Sequence, residues 1–232
     1  MKLIPSPPSY PDSFLKEYRE RLKRLKESGA GEVYETVLCD AGEHPENFTN
    51  AECDFASRQL RRIHPEKLLD VGSYRIWVAG VLAAGYPVTS VDVRERTSFS
   101  NEALVLCDAS RLALPDASFD AVSSLCALEH FGLGRYGDPF DVEADKKALS
   151  EMARVLKPGG RLILTTTLTR RKPGVDFNAH RLYNHTQLSR LLSGLTPEEE
   201  ACYSTRLKKV CPVTEATDKP KDWDVYLGCW RK

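Results

Sequence analysis

The sequence has no net charge, because its 33 lysine and arginine residues equal its 33 aspartate and glutamate residues. A chain without a basic excess lacks the overall electrostatic attraction that draws proteins to nucleic acids or to anionic membrane surfaces. We therefore expect no nucleic-acid partner and no membrane partner. A small molecule is the simpler expectation for a substrate, although net charge does not describe how charge is distributed.

Metal-ligand patterns are also missing from the sequence. Seven cysteines are scattered from Cys39 to Cys229 without a C-x-x-C pair, which makes a poor disulfide framework and a poor zinc site. His44 and His64 lie in predicted loops without a carboxylate or thiol partner at ligand spacing, and no acidic partner stands at ligand spacing between His180 and His185, so we predict no metal.

Long apolar runs are absent too. No stretch approaches the roughly 20 apolar residues of a membrane span, and residues 1–10 contain no signal-peptide core. We therefore expect a cytoplasmic protein, present as a monomer or a homodimer. With 232 residues, 41% of them hydrophobic, the chain is long enough for one substantial core.

The middle of the chain alternates predicted strands with predicted helices. Apolar β-rich runs occupy residues 67–71, 86–93, 103–107, 119–125 and 161–167, and helical patterns occupy residues 76–84 and 144–156. This order predicts an α/β fold with a doubly wound, mainly parallel, seven-stranded Rossmann-like sheet that binds ligands at the carboxyl ends of its strands. Residues 201–209 and 223–230 are the predicted antiparallel strands that complete it.

The ends and connections of the chain are less regular. Residues 13–28 show the apolar spacing of an amphipathic helix, and residues 51–63 predict a shorter helix. We assign residues 1–64 to an N-terminal helical extension or cap and residues 65–232 to the ligand-binding domain. Gly, Pro and Asn residues predict loops at residues 39–50, 173–178 and 211–222.

Three predicted strand ends carry residues suited to a nucleoside ligand. Gly72 follows the first strand, where a glycine lets a ligand approach the backbone. Asp92 ends the second strand, 22 residues after Asp70. Its carboxylate can accept hydrogen bonds from both hydroxyls of a ribose, or it can cap a loop as a solvated carboxylate. Asp108 ends the third strand and can accept from an adenine amine or cap a helix from Ser110.

Several segments together resemble the class I S-adenosylmethionine-dependent methyltransferases, in their small-molecule branch. The resemblance runs from about residue 67 to residue 168, and the turn at residues 153–163 is its most specific part. The segments that carry it are Leu69-Asp-Val-Gly72, Ser90-Val-Asp-Val93, Leu114-Pro-Asp-Ala-Ser-Phe-Asp-Ala-Val122, Ala127-Leu-Glu-His130 and Ala153-Arg-Val-Leu-Lys-Pro-Gly-Gly-Arg-Leu-Ile163.

The resemblance implies S-adenosyl-L-methionine as cofactor. Gly72 would admit its methionine part, Asp70 would anchor the amino group directly or through water, and Asp92 would hold the ribose. The implied cofactor-binding residues are Asp70, Gly72, Ser73, Asp92, Asp108, Ala109, Leu125 and Cys126. The sequence departs from the family at Tyr74, where these enzymes usually have their second glycine, so this side chain must point away from the cofactor or fill part of its site.

The segment after the fourth strand, residues 129–139, carries the candidate catalytic groups. His130 could remove a hydroxyl proton because an imidazole titrates near working pH, and Asp138 is the alternative base. Arg135 and Tyr136 are candidates for orienting the substrate. The Gly-Leu-Gly-Arg-Tyr-Gly-Asp pattern also resembles bacterial methyltransferase-like proteins, some linked to surface-polysaccharide gene clusters, which suggests a sugar substrate.

A second polar and aromatic patch follows the fifth strand. It supplies His180, Arg181 and Tyr183 as candidates for the far wall of the substrate pocket, and an ordered surface loop is the alternative interpretation.

These observations predict O-methylation of a small hydroxylated acceptor, such as a sugar or a surface-polysaccharide precursor. A non-catalytic ligand-binding or regulatory protein that retains the fold is the alternative, and Tyr74 is the feature that favours it. A nicotinamide-dependent oxidoreductase fits less well, because only one glycine follows the first strand. A nucleic-acid methyltransferase is disfavoured by the charge balance and by the lack of an Asn-Pro-Pro-Tyr motif.

Overall fold

A computed structural model describes residues 11–29, 31–33, 35 and 47–232. The proline-rich opening and most of the predicted loop at residues 39–50 lie outside the described residues. The chain divides into two compact units, residues 1–45 and residues 46–232. The division falls before the helix at residues 48–63, whereas the sequence placed it after residue 64, because this helix buries Phe55 and Leu60 in the core of the larger unit.

The first unit contains helix α1 (Asp12–Glu27), which confirms the helix predicted at residues 13–28. Pro11 precedes it with φ −58°, a value that is already compatible with a helix start. Ion pairs four residues apart, such as Arg21–Glu17 at 2.7 Å, join neighbouring turns of its exposed surface.

The second unit contains a large twisted sheet, a small hairpin and four helices among its described residues. The helices are α2 (Phe48–Ile63), α3 (Arg75–Ala83), α4 (Ala144–Val155) and α5 (His185–Leu191). The strands are β1 (Leu68–Val71), β2 (Val88–Asp92), β3 (Glu102–Leu106), β4 (Phe119–Leu125), β5 (Leu156–Leu168), β6 (Gly174–Asp176), β7 (His180–Leu182), β8 (Thr196–Ser204), β9 (Lys209–Cys211) and β10 (Asp224–Arg231).

The large sheet has the strand order β3-β2-β1-β4-β5-β10-β8-β9. The first five strands are parallel, and β10 runs antiparallel to both β5 and β8. The predicted doubly wound, mainly parallel α/β fold is therefore confirmed. The sheet has eight strands among the described residues rather than seven, because residues 201–209, predicted as one strand, contain the end of β8 at Ser204 and the start of β9 at Lys209, which pair with each other.

The segment from Lys157 to Gly160 loops out of β5. Phe119 pairs with Leu156, and the next pair is Ala121 with Arg161, so the ladder skips these four residues. The N–H of Gly159 donates to the carbonyl of Lys232 at 2.8 Å instead. The predicted turn is thus present, but the strand begins before it.

The loop predicted at residues 173–178 contains strand structure. Strands β6 and β7 form an antiparallel hairpin in which Val175 pairs with Arg181. The hairpin is attached to the main sheet because the Thr167 hydroxyl donates to the carbonyl of Arg181 at 2.6 Å. Pro, Gly and Asn residues suggested a loop here, but pairing with β7 holds residues 174–176 in an extended conformation.

Two apolar clusters cover the two faces of the sheet. Leu69 packs with α4, whereas the adjacent Leu68 packs with α2 and α3, as expected for side chains that alternate along a strand. This arrangement leaves the carboxyl ends of β1 to β4 at one open edge. Among the described residues, no helix is both long enough and apolar enough to cross a membrane.

Candidate active site

A cavity of about 780 Å³ opens at the carboxyl ends of β1 to β4. Its volume falls within the range of small-molecule sites, and Rossmann-like sheets bind their ligands at this edge. The structure brings most of the predicted site residues together on its wall. These residues are Gly72, Ser73, Asp92, Asp108, Ala109, Cys126, His130, Arg135, Tyr136, Asp138 and His180.

Asp70 and Leu125 lie behind the cavity wall instead of facing the cavity. Asp70 is buried, and its Oδ2 accepts hydrogen bonds from the hydroxyls of Ser73 at 2.6 Å and Ser123 at 2.8 Å. Burial raises the pKa of Asp70 to about 6. The N–H of Leu125 donates to the Ser73 hydroxyl at 2.9 Å, so both residues fix the turn after β1.

Arg181 and Tyr183 do not line the cavity either, although both were predicted to form its far wall. The Tyr183 hydroxyl donates to Asp145 Oδ2 at 3.0 Å in the core, and burial raises the pKa of Tyr183. Arg181 pairs with the same carboxylate at 3.6 Å and donates to the carbonyl of Phe131. Because side chains alternate along β7, His180 faces the cavity while Arg181 lies on the opposite side.

The turn after β1 requires a glycine at position 72. Gly72 has φ +74°, and a Cβ added to it would lie 3.1 Å from the Cβ of Ala127 and 3.3 Å from the ring of Phe131. A side chain here would be strained in its backbone and would crowd the start of the loop after β4. The backbone at Gly72 therefore remains open to the cavity.

Tyr74, which replaces the usual second glycine, is held against α2. Its hydroxyl donates to Glu52 Oε1 at 3.1 Å and contacts the sulfur of Cys53 at 3.2 Å. The hydroxyl of Thr165 donates to the other oxygen of Glu52, and burial raises the pKa of both Glu52 and Tyr74. The ring of Tyr74 forms part of the cavity wall, while its hydroxyl end points to the helix.

Asp92 ends β2 beside the cavity, and Arg94 engages its carboxylate. Oδ1 accepts from the Arg94 backbone N–H at 3.0 Å and from its Nε at 3.0 Å, and Oδ2 accepts from its Nη2 at 3.2 Å. The same guanidinium lies 4.5 Å from the centre of the Tyr136 ring. Arg94 was not among the predicted site residues.

Asp108 and Cys126 complete the predicted cofactor side of the wall. Asp108 Oδ1 accepts from the N–H of Ser110 at 2.7 Å and caps a short 3-10 turn at Ala109–Arg111, so the capping role is observed. The backbone N–H of Cys126 donates to the Thr165 hydroxyl at 2.9 Å. Burial raises the pKa of the Cys126 thiol well above its usual value.

His130 lies at the other end of the cavity in a defined orientation. Its Nδ1 is 2.7 Å from the carbonyl of Ala179, which can only accept, so Nδ1 carries the proton and Nε2 has a free lone pair. Burial, with smaller contributions from Arg135 and His180, lowers the pKa of His130 to about 4. The imidazole is therefore neutral at physiological pH.

A row of rings, which we call the aromatic wall, surrounds His130. His130 contacts Tyr136 with ring centres 5.6 Å apart and His180 with centres 6.4 Å apart. The row continues from His180 to Trp223 at 5.5 Å and from Trp223 to Phe48 at 5.6 Å. Phe48 and Trp223 were not predicted as site residues, because each is far along the chain from residues 129–139.

The loop after β4 is held by Asp138. Its Oδ2 accepts from the N–H of Gly132 at 2.7 Å, and its Oδ1 accepts from the N–H of Tyr136 at 3.1 Å. Gly132 has φ +73°, and an added Cβ would clash with the carbonyl of Asp141. Arg135 Nη1 donates to the carbonyl of Ala179 at 2.9 Å, next to His130. Asp138 thus has both oxygens committed to the loop backbone.

Glu129 also lines the cavity and was not predicted as a site residue. Its side chain is buried, its Oε2 accepts from the Thr166 hydroxyl at 2.9 Å, and burial raises its pKa to about 7. The only sequence feature that pointed to Glu129 as a site residue was its place in the Ala127 to His130 motif. Within the described ranges, no group of three or more His, Cys, Asp or Glu side chains could hold a metal ion.

Curated relatives of this chain are named as methyltransferases. An uncharacterized methyltransferase of Mycobacterium tuberculosis is 34% identical over 111 residues, which cover 44% of this chain and 51% of that protein. The chain therefore spans about half the length of the curated relatives it matches.

Solved structures with similar folds cover almost the whole chain. One is a 1,6-didemethyltoxoflavin-N1-methyltransferase of Burkholderia thailandensis with bound 1,6-didemethyltoxoflavin and S-adenosylhomocysteine, with a TM-score of 0.59, 17% identity and coverage of 99% and 93% of the two chains. Another is the cyclase SpnF, with a TM-score of 0.58, 20% identity and coverage of 97% of each chain. The fold is that of the class I S-adenosylmethionine-dependent methyltransferases.

A protein-family profile also matches this sequence. Its description is "Caenorhabditis protein of unknown function, DUF268", and it matches residues 88–223, which is more than half of the 232 residues. The matched region begins at β2 and extends to Trp223, so it includes most of the cavity wall. The chain belongs to the DUF268 family.

Proposed function

We propose that this protein is an S-adenosylmethionine-dependent methyltransferase that methylates a hydroxyl group on a small, ring-shaped acceptor such as a sugar. The observation that carries the proposal is the placement of neutral His130 in the same cavity as Gly72 and Asp92. A base and a nucleoside-binding edge share one space, which a methyl transfer to a hydroxyl group requires.

The residues present fit the cofactor at one end of the cavity. We propose that Gly72 and Ser73 receive its amino-acid part, that Asp92 receives the ribose, and that Asp108 and Ala109 receive the adenine. Cys126 forms the wall towards the acceptor, while Asp70 and Leu125 act indirectly by fixing the turn through Ser73. When bound, the cofactor supplies an electrophilic methyl group on its sulfonium.

His130 acts as the general base in this proposal. The hydrogen bond from Nδ1 to the carbonyl of Ala179 leaves Nε2 free to accept the proton of an acceptor hydroxyl as its oxygen attacks. Because the leaving group is already activated, the protein contributes mainly alignment and exclusion of water. Asp138, the alternative base, supports the loop that carries Arg135 and Tyr136.

The aromatic wall supports a ring-shaped acceptor. The rings of Trp223, His180 and Tyr136 offer flat apolar surfaces, against which the apolar face of a sugar or an aromatic ring can lie. Arg135 supplies hydrogen-bond donors beside His130. We propose that Arg135, Tyr136 and His180 orient the acceptor.

We also propose that the protein is a cytoplasmic monomer or homodimer, as expected from the sequence.

A non-catalytic ligand-binding or regulatory protein is the second candidate. It is favoured by the engagement of Asp92 by Arg94 and by Tyr74 at the glycine position. The fold itself is compatible with other activities, since one structural neighbour is named a cyclase.

Methyl transfer to a panel of glycosides and phenols tests the proposal. Purified protein is incubated with methyl-labelled S-adenosylmethionine, and products are identified by mass spectrometry. We expect a methyl ether from at least one acceptor. His130→Asn keeps an N–H donor for the carbonyl of Ala179 but lacks the base, so kcat should fall by about 10²- to 10⁴-fold.

The matched control is His185→Asn, because His185 pairs with Glu200 at 2.9 Å and does not line the cavity. This variant should keep the wild-type rate. Equal rates for His130→Asn and the wild type would contradict the assigned base. Transfer only to nitrogen or carbon acceptors would contradict O-methylation.

A further inference from the structure

We infer that Arg94 is a positioning residue that closes the ribose position at Asp92 and must be displaced when the cofactor binds. This inference rests on the proposed function. It concerns a side chain that neither the sequence pattern nor the resemblance to methyltransferases identified.

Asp92 can accept a limited number of hydrogen bonds, and Arg94 already donates most of them. An ionised carboxylate has about four lone-pair positions, two on each oxygen. Oδ1 already accepts two hydrogen bonds from Arg94, and Oδ2 accepts a third from the same residue. A ribose needs two free acceptor positions on this carboxylate to bind through both hydroxyls, and only one remains. The guanidinium and the ribose therefore compete for Asp92.

The Arg94 guanidinium is the group that moves when the ribose binds. The Arg94 side chain is 51% exposed, so it can swing into solvent, whereas the Asp92 side chain is only 9% exposed and is fixed at the end of β2. The backbone N–H of Arg94 can keep its hydrogen bond while the guanidinium leaves. Displacement frees one position on each oxygen, which restores the capacity that two ribose hydroxyls require.

Arg96 supplies a positive charge that remains beside Asp92 after Arg94 leaves. Arg96 has its Nε 3.7 Å from Asp92 Oδ2, and its side chain is only 17% exposed. Within the described residues, Nε and Nη1 of Arg96 are buried and have no hydrogen-bond partner, while Nη2 donates to Glu102 at 2.7 Å. Arg96 therefore keeps a cation beside Asp92 when Arg94 departs, so the carboxylate retains an ionic partner.

Arg94 also links the cofactor side of the cavity with the proposed base through Tyr136. The guanidinium of Arg94 lies against the ring of Tyr136, which in turn contacts His130. Removing the guanidinium from Asp92 uncovers one face of Tyr136, next to the proposed base. Cofactor binding thereby prepares the acceptor end, so the cofactor should bind before the acceptor.

Calorimetric titration with S-adenosylhomocysteine tests the inference without any need for an acceptor. Arg94→Met removes the competing cation but keeps a long side chain. We expect it to bind S-adenosylhomocysteine about tenfold more tightly than the wild type does, as follows if the open form is about one tenth of the wild-type population. Arg58→Met is the matched control, because Arg58 pairs with Asp54 and Glu199 and does not line the cavity.

A second ligand pair separates competition with ribose from a general change in the protein. Adenosine carries both ribose hydroxyls, and 2′,3′-dideoxyadenosine carries neither. Arg94→Met should tighten the binding of adenosine and leave that of the dideoxy compound unchanged. An equal gain for both ligands would overturn the inference.

Unchanged or weaker binding of S-adenosylhomocysteine by Arg94→Met would also overturn it, since Arg94 would then be neutral or would contact the ligand. Failure of the proposed function has a different signature, namely no binding of S-adenosylhomocysteine by the wild type or by either variant. If only Arg94→Met binds, the inference holds in its strongest form, with a wild-type site that is almost fully closed.

Discussion

At the scale of single residues, burial sets the protonation states of the candidate site. His130 is neutral because burial lowers its pKa to about 4, so its Nε2 lone pair stays unprotonated over the whole physiological range and the group does not titrate near working pH as the sequence suggested. Glu129, its neighbour in sequence, has a pKa raised to about 7 by burial and is partly protonated in the same range. A rate that depends on His130 alone should therefore fall only below about pH 5 and stay constant above it, including through the pKa of Glu129.

Glu129 should make the stability of the protein depend on pH. Its pKa is about 7 in the folded state and 4.5 ordinarily, so its favourable contribution is complete below about pH 4.5 and is lost as the pH rises through 7. Between about pH 5 and about pH 8, this group should lower the free energy of unfolding by roughly 2–3 kcal/mol. Glu129→Gln keeps an acceptor for Thr166 and should abolish this loss.

Urea unfolding of the wild type and Glu129→Gln at these two pH values measures the effect. A smaller dependence should remain in the variant, because the pKa of Asp70 is raised to about 6 and acts with the same sign. An identical pH dependence in both proteins would show that Glu129 is ionised throughout.

The sequence placed some site residues well and could not place others. Gly72 and Asp92 end buried strands at fixed spacing, so their position at the sheet edge follows from the order of the strands. The burial of Glu129 depends on Thr166, which lies 37 residues away, and no local pattern encodes this contact. The engagement of Asp92 by Arg94 involves neighbours in sequence, but side-chain conformation is not visible in a residue pattern.

At the scale of elements, Tyr74 connects the turn before α3 with α2. Its hydroxyl is a donor to buried Glu52, so Tyr74→Phe removes one of the hydrogen bonds that stabilise this carboxyl group. We expect the free energy of unfolding to fall by about 1–2 kcal/mol. Binding of S-adenosylhomocysteine should change little, since the aromatic ring in the cavity wall is retained.

Tyr86→Phe is the matched control, because Tyr86 is also partly buried against the α2 and α3 side of the sheet. Denaturant unfolding compares the two variants, and calorimetry compares their ligand binding. A large loss of binding in Tyr74→Phe, with unchanged stability, would show that the hydroxyl serves the ligand rather than α2.

Long buried elements were easier to predict than short edge elements. Strands β1 to β4 lie within two residues of their predicted bounds, because each is an apolar run that ends at a turn. Strands β6, β7 and β9 have three residues each; β6 was predicted as a loop, β7 was left unassigned, and the start of β9 was merged with β8 in one predicted strand. Each of these short strands pairs with a neighbour in sequence, β6 with β7 and β9 with β8, and three residues are too few to give a clear strand pattern.

At the scale of the whole molecule, one cavity brings together residues from both ends of the second unit. Phe48 and Trp223 meet at 5.6 Å although they are 175 residues apart in sequence. The sheet order explains why the cofactor edge could be predicted, since the carboxyl ends of adjacent parallel strands always share an edge. Phe48 and Trp223 could not be placed on the aromatic wall, because their position depends on how α2 and the segment before β10 cover that edge.

Calorimetric titration of the wild type and Asp92→Ala with S-adenosylhomocysteine tests the central claim most directly, with nicotinamide dinucleotides as control ligands. The account predicts one site per chain with micromolar affinity in the wild type, loss of binding in Asp92→Ala and no binding of the dinucleotides. Absence of S-adenosylhomocysteine binding by the folded wild type and Arg94→Met, or equal affinity in Asp92→Ala, would contradict it.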